Sequence, residues 1–171
     1  LVVHDDEVVF TSSGTEADNL ALRGTCWART ERRPHVVTTA IEHDAVRRTA
    51  RWLDLEGHAD VTVIECGKDG RVDAGAVIAA MRNDTALVSL MHVNNETGVV
   101  QPVEVVGTTC RQRGVTFHVD AVQALGRLAL RPHAIPADLV TLSAHKVGGP
   151  KGCGALVVRR GVKLQPILTG G

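Results

Sequence analysis

The sequence predicts an α/β fold, built as a mainly parallel sheet of about seven strands flanked by helices. Short runs rich in β-branched residues alternate with segments of helical period. Most of these runs are apolar almost throughout, as is typical of strands buried on both faces of a sheet. The predicted strands span residues 7–11, 35–39, 61–65, 86–92, 115–119, 139–143 and 154–158.

Three segments between these strands carry the sequence signals of helices. Val46, Ala50 and Leu53 mark one face of a helix over about 43–55. Within 74–81, apolar residues recur at i, i+3, i+4 and i+7, and Pro at the start of 102–114 suits a first helical turn. Together with the strands, these helices form one domain, for which 171 residues and 44% hydrophobic content are sufficient.

The composition argues against nucleic-acid and membrane partners. Lys+Arg and Asp+Glu both number 19, so no basic excess is available to neutralise phosphates. The chain has two Phe, two Trp and no Tyr, too few for base-stacking platforms. It also lacks an apolar run of roughly 18 residues, which a membrane-spanning helix needs. We therefore expect a soluble cytoplasmic protein with no nucleic-acid or membrane partner.

The four cysteines, Cys26, Cys66, Cys110 and Cys153, lie far apart in sequence and form no C-x-x-C pair. This spacing suits neither a zinc site nor a small disulfide scaffold. We expect buried, structural free thiols and no metal.

The first candidate site is the turn at residues 11–16, which follows a strand and begins a helix. Ser13 and Glu16 form a Ser-x-x-Glu capping pattern. Unpaired N–H groups at a helix start bind anions, Gly14 permits close approach, and the Thr15 hydroxyl can donate a hydrogen bond. The turn is therefore either a phosphate site or an ordinary capped helix start.

The second candidate is Asp120, where a buried strand ends. Ligands of open α/β sheets bind at this side of the strands. A carboxylate buried there needs a cationic partner, which the pyridinium nitrogen of a cofactor would supply. The alternative is a helix N-cap.

The third candidate is the stretch 143–152, which sets Ser143, His145 and Lys146 at a strand end before a Gly-rich turn. A lysine packed there loses hydration, which favours the neutral amine that Schiff-base chemistry requires. A surface turn with incidental lysines is the alternative.

Two further strand-end segments carry polar residues. His43 begins a helix, where an imidazole could stack on a planar ring and move protons, or simply be solvated. Asn94 and Asn95 follow the 86–92 strand and could be turn residues or amide donors. Because the carboxyl ends of parallel strands share one edge, all five segments should meet there.

In this order, the segments resemble the cysteine desulfurases of the class V aminotransferase-like group, which are fold-type I enzymes dependent on pyridoxal 5′-phosphate. The motifs are Thr-Ser-Ser-Gly-Thr-Glu-Ala-Asp-Asn at 11–19, His43, Val-Asn-Asn-Glu-Thr-Gly at 93–98, His-Val-Asp-Ala-Val-Gln at 118–123 and Ser-Ala-His-Lys-Val-Gly-Gly-Pro-Lys-Gly at 143–152.

The resemblance implies a role for each matching residue. Contacts to the cofactor phosphate would come from Gly14, Thr15, Ser143 and His145. His43 would stack on the cofactor ring, and Asn95 would make a further contact with the cofactor. Asp120 would pair with the ring nitrogen and Gln123 would contact the phenolic oxygen. Lys146 would form the Schiff base. Lys146 and His43 would be the catalytic residues.

The implied reaction converts L-cysteine to L-alanine and passes sulfur to a sulfur-acceptor protein, as in iron–sulfur cluster biogenesis. Lys146 would remove the Cα proton with assistance from His43. None of the four cysteines matches the family's catalytic cysteine. We therefore expect residues 1–171 to be the large domain of a homodimeric enzyme, without the N-terminal segment, the small C-terminal domain, the catalytic cysteine and the substrate-carboxylate arginine.

Two alternatives remain open. A selenocysteine lyase, or another class V lyase or aminotransferase, would share the cofactor residues. A catalytically silent fragment or interaction module would keep the fold alone, although the intact site residues argue against it.

Overall fold

A computed structural model describes residues 3–30, 33–129 and 135–170 of the chain. Its centre is a seven-stranded sheet, which confirms the predicted fold class. The strands are β1 Val8–Thr11, β2 His35–Thr39, β3 Asp60–Ile64, β4 Thr85–Ser89, β5 Thr116–Asp120, β6 Leu139–Ser143 and β7 Gly154–Val158. Three predicted strands have the observed bounds, and the others differ by one to three residues at an end.

The strand order is β1-β7-β6-β5-β4-β2-β3. Neighbouring strands from β3 to β6 are parallel, whereas β7 runs antiparallel to both β6 and β1. Gly154 begins β7 and pairs with Thr11, the last residue of β1, and with Ser143, the last residue of β6. The single reversed strand therefore joins the end of β6 to the end of β1 at one edge of the sheet.

The helices cover both faces of the sheet. They are α1 Gly14–Trp27, α2 Asp44–Leu55, α3 Ala74–Ala80 and α4 Val103–Arg113, and a 3₁₀ turn spans Ala144–Val147. Pro102 is the N-cap of α4, and Gly114, with a φ of 67°, ends the helix in the left-handed conformation that glycine favours. The three helices predicted over 43–55, 74–81 and 102–114 are confirmed.

Two apolar clusters fill the layers between helices and sheet. One includes Val88 and Phe117 and lies on the side of α3 and α4. The other includes Leu22, Leu53 and Leu87 and lies on the side of α1 and α2. Because strand residues are buried on both faces, the sheet is a rigid platform, and the loops at its carboxyl edge carry the polar residues.

In the part of the chain that the structure describes, no helix combines the length and the apolar character needed to cross a membrane. All four cysteines are free thiols. Cys26 and Cys110 are buried, and burial raises the pKa of each thiol to about 12. The expectation of burial is wrong for Cys153, which is exposed because it lies in the turn before β7. Cys66 is only partly buried.

Candidate active site

A cavity of about 360 Å³ opens where the carboxyl ends of the parallel strands meet. This volume is within the range of small-molecule sites, roughly 300–1,000 Å³. The cavity brings together all nine residues predicted from the sequence, namely Gly14, Thr15, His43, Asn95, Asp120, Gln123, Ser143, His145 and Lys146. The five segments therefore form a single site.

The start of α1 forms one wall of the cavity. The Ser13 hydroxyl accepts a hydrogen bond from the Glu16 N–H at 3.2 Å, so the predicted N-cap is present. The Glu16 carboxylate accepts hydrogen bonds from the N–H and the hydroxyl of Ser12, rather than from Ser13. Among the described residues, the N–H groups of Gly14 and Thr15 have no acceptor. These two donors, at the positive end of α1, are available to an anion.

Gly14 leaves little room for a side chain. A Cβ atom added there would lie 3.0 Å from Cγ2 of Val122 and 3.5 Å from Cβ of Ser143. Glycine at this position therefore brings the start of α1 close to the segments that follow β5 and β6.

Asp120 ends β5 on the floor of the cavity and is buried. Its Oδ1 accepts a 3.0 Å hydrogen bond from the Val122 N–H. Burial raises the pKa of the Asp120 carboxyl, while the Val122 hydrogen bond and the nearby His43 act in the opposite direction. The carboxylate that faces the cavity would be stabilised by a bound cationic group.

His43 is both the N-cap of α2 and part of the cavity wall. Its Nδ1 accepts a hydrogen bond from the Ala45 N–H at 3.1 Å. Because this bond requires an unprotonated Nδ1, the neutral imidazole carries its proton on Nε2. His43 therefore lies at a helix start and also lines the site.

The 3₁₀ turn after β6 brings Ser143, His145 and Lys146 to the cavity. The Ser143 hydroxyl and Nδ1 of His145 are 2.9 Å apart and hydrogen-bonded. Lys146 lines the cavity but is exposed, so the predicted loss of hydration is wrong for this chain. The physical reason is its place at the rim, beyond the buried end of β6.

The two asparagines of the 93–98 loop have different positions. Asn94 is buried, and its Oδ1 accepts hydrogen bonds from the N–H groups of Glu96 and Thr97 and from the Thr97 hydroxyl. Its amide donates to the Ile41 carbonyl at 2.9 Å. Asn95 lines the cavity instead. Asn94 therefore shapes the loop that presents Asn95.

The sequence analysis missed several cavity residues, of which Asp18 is the most polar. Ser13, Met91, Val93 and Val122 also line the cavity. Asp18 follows Gly14 by four residues and Thr15 by three, so it lies on the same face of α1. This spacing is the signal that could have identified it.

The residues of this site fit pyridoxal phosphate. The free N–H groups of Gly14 and Thr15, with the Ser143 hydroxyl, provide donors for a phosphate. The buried Asp120 provides an anion for a protonated ring nitrogen, and Lys146 provides an amine at the cavity rim.

Comparisons with known proteins agree with this fit. The family described as Aminotransferase class-V matches residues 1–171. A cysteine desulfurase of Nostoc sp. (strain PCC 7120 / SAG 25.82 / UTEX 2576) is 45% identical over 167 residues, which cover 98% of this chain and 41% of the relative. The cysteine desulfurase IscS of Methanosarcina thermophila is 42% identical over 171 residues, which cover 100% of this chain and 42% of the relative. The chain thus spans about two fifths of the length of these curated relatives.

Solved structures of related proteins have the same fold. The structure named "SspA in complex with cysteine" superposes with a TM-score of 0.94 at 38% identity, covering 99% of this chain and 49% of that one. DndA from Streptomyces lividans gives a TM-score of 0.91 at 43% identity, with the same two coverages. The chain belongs to the class-V aminotransferase family of pyridoxal-phosphate-dependent enzymes.

Proposed function

We propose that this chain is the cofactor-binding large domain of a cysteine desulfurase. The observation that carries the proposal is the convergence of nine predicted residues from five strand-end segments on one cavity. The curated relatives named as cysteine desulfurases, and the similar structure named as a complex with cysteine, support L-cysteine as the substrate.

Each of the nine predicted cavity residues has a role in this proposal. Gly14 and Thr15 at the start of α1, with Ser143 and His145, bind the phosphate. His43 packs on the ring, and Asn95 and Gln123 bind polar groups at its edge. Asp120 keeps the ring nitrogen protonated. Bound pyridoxal phosphate supplies an electron sink for the negative charge that develops at the substrate Cα.

Lys146 and His43 carry out the proton transfers in this proposal. The amine of Lys146 takes the Cα proton of the substrate. His43 carries a proton on Nε2 when neutral, because Nδ1 is engaged by the Ala45 N–H. We therefore assign His43 the role of proton donor, with Nε2 as the donating atom.

Sulfur transfer requires a thiol that the cavity does not provide. None of the four cysteines, all within the described residues, lines the cavity. We place the acceptor thiol outside residues 1–171. It attacks the substrate sulfur, the substrate C–S bond breaks, and a persulfide and L-alanine result. We also propose a cytoplasmic homodimer that passes the sulfur to an acceptor protein.

Two experiments test the proposal. Borohydride reduction of the protein with bound pyridoxal phosphate should fix the cofactor to Lys146, as read by peptide mass spectrometry, and labelling of another lysine would overturn the assignment. Incubation of the full-length protein with L-cysteine and dithiothreitol should release sulfide and alanine in equal amounts. Turnover of selenocysteine without turnover of cysteine would instead identify a selenocysteine lyase.

A further inference from the structure

Asp18 is a second buried carboxyl at the floor of the cavity, and the proposed reaction does not use it. It lies in α1, is 1% exposed and lines the cavity together with Asp120. The start of α1 and the end of β5 thus place two acids against the same small space.

Asp18 has no cationic partner among the described residues. Its Oδ1 is buried and accepts no hydrogen bond there. The ring nitrogen Nε2 of His118 lies 3.5 Å from this oxygen. Burial lowers the pKa of His118 to about 3, so this imidazole is neutral at physiological pH. An ionised Asp18 would therefore be a buried charge without compensation.

The groups around Asp18 add negative rather than positive charge. Burial, followed by the charge of Asp120, raises the pKa of Asp18 well above its usual range, and a Thr141 hydrogen bond opposes this. The titratable groups of the surrounding elements are Glu42 and His43 before α2, His118 and Asp120 on β5, and His145 and Lys146 after β6.

Asp120 is better placed than Asp18 to hold a negative charge. Its Oδ1 accepts a hydrogen bond from the Val122 N–H, and this bond favours the ionised form. Two acids that share one buried site hold one charge more easily than two.

We propose that Asp18 carries a proton in the working protein, so that Asp120 holds the single negative charge that faces the cofactor ring. His118, the ring next to Asp18, is itself held by two buried hydroxyl groups. Thr141 Oγ1 is 3.0 Å from Nε2 of His118, and Ser89 Oγ is 2.8 Å from Nδ1. The effect on cofactor binding rests on the proposed function. The protonation of Asp18 does not depend on whether a cofactor binds.

Infrared spectroscopy of the cofactor-free full-length protein tests the protonation directly. Protein labelled with ¹³C-aspartate should show, at pH 7, the carbonyl stretch of an un-ionised carboxylic acid, and this band should vanish in Asp18→Asn. In Asp120→Asn the Asp18 band should titrate at lower pH, because the neighbouring charge is gone. An un-ionised aspartate band that persists unchanged in Asp18→Asn would overturn the proposal. Its absence from the labelled wild type would do the same without any variant.

Cofactor binding tests whether the site needs a negative charge on Asp18. Asn resembles a neutral acid in size, so Asp18→Asn should bind pyridoxal phosphate within about threefold of the wild-type Kd, whereas Asp120→Asn should lose at least about tenfold, or 1.4 kcal/mol. A loss of tenfold or more in Asp18→Asn would show that the Asp18 charge is needed and would overturn the proposal. If the wild type itself binds no pyridoxal phosphate, the proposed function fails while the infrared result still decides the state of Asp18.

Discussion

The backbone N–H of Met91 donates a 3.0 Å hydrogen bond to Oε1 of Glu42, which ties the residue before His43 to the segment after β4. The Thr39 hydroxyl donates to the same oxygen at 2.6 Å. Burial raises the pKa of Glu42 to about 8, against the opposing effect of these two bonds. Glu42 is therefore a neutral acid at pH 7.

Glu42→Gln should make the stability of the protein less dependent on pH. Between pH 4.5, the ordinary pKa of a glutamate side chain, and about pH 8, the unfolded chain releases the Glu42 proton while the folded chain keeps it. Wild-type stability therefore falls as pH rises through this window, and the variant lacks that contribution. Urea unfolding at pH 5 and pH 8 measures the difference.

Glu42→Ala serves as the comparison, because it also leaves the Met91 N–H unpaired and should cost about 1–3 kcal/mol at pH 5. Parallel pH profiles for the wild type and Glu42→Gln would contradict the assignment of a raised Glu42 pKa.

His118 should have the opposite effect at acid pH. Burial lowers its pKa from 6.5 to about 3, so between these values the unfolded chain binds a proton that the folded chain does not. The stability that this group contributes is present above pH 6.5 and is lost as pH falls toward about 3. His118→Gln should therefore lose less stability between pH 6.5 and pH 4 than the wild type.

The exposed His58 provides the control variant His58→Gln, in which one histidine is lost outside the core. Circular dichroism during acid titration follows both variants. An identical acid midpoint for the wild type and His118→Gln would rule out His118 as the titrating group.

Lys146→Ala should abolish the proposed chemistry. Loss of a general base typically costs about 100-fold or more in rate, so alanine formation from L-cysteine should fall by at least that factor. Lys151 lies in the same Gly-rich turn, is exposed and does not line the cavity, so Lys151→Ala is the control and should retain activity. Equal losses in the two variants would mean that the turn, rather than the amine of Lys146, matters.

Gly154 does not line the cavity, but Gly154→Ala should disturb the start of α1, where the phosphate is proposed to bind. An added Cβ would lie 2.5 Å from the Ser13 carbonyl carbon and 2.7 Å from its oxygen, so the start of α1 must shift. We expect a loss of about 1–3 kcal/mol in stability and weaker binding of pyridoxal phosphate.

Gly75→Ala is the comparison for Gly154→Ala. Its nearest neighbour is the flexible Asp73 carboxylate at 3.3 Å, and the site is exposed in α3. Thermal unfolding and cofactor titration should separate the two variants. Unchanged cofactor affinity in Gly154→Ala would show that Ser13 moves without consequence for the site.

Asn94→Ala should lower the stability of the protein, whereas Asn95→Ala should weaken cofactor binding. Asn94 organises its loop through hydrogen bonds with Ile41, Glu96 and Thr97, so its loss should cost about 1–3 kcal/mol. Asn95 faces the cavity, so its loss should weaken cofactor binding with little change in unfolding. A stability loss in Asn95→Ala as large as that in Asn94→Ala would contradict this division.

Local patterns predicted the strands and the meeting of their loops because both follow from the sequence near each residue. His35–Thr39, Leu139–Ser143 and Gly154–Val158 are short runs rich in Val, Leu and Thr, and their bounds are as predicted. The reversal of β7 was not predicted, because the apolar pattern of a strand is the same in either direction.

The charge states of the site depend on contacts between distant segments. Asp18 and Asp120 are 102 positions apart in the chain, and only the folded sheet brings them to one cavity. The exposure of Lys146 likewise depends on which elements cover the 3₁₀ turn after β6. No local pattern carries this information.

The reversed β7 has a consequence for how this fold can vary. Gly154 is in register with both Thr11 and Ser143, so the turn that bears Lys146 is held at its two ends by pairs of the same sheet. Loop lengths usually drift among related proteins, but an insertion between 144 and 153 would shift the amine relative to the start of α1. Divergence in substrate or partner is therefore expected to accumulate in other loops, while the length of this turn stays fixed.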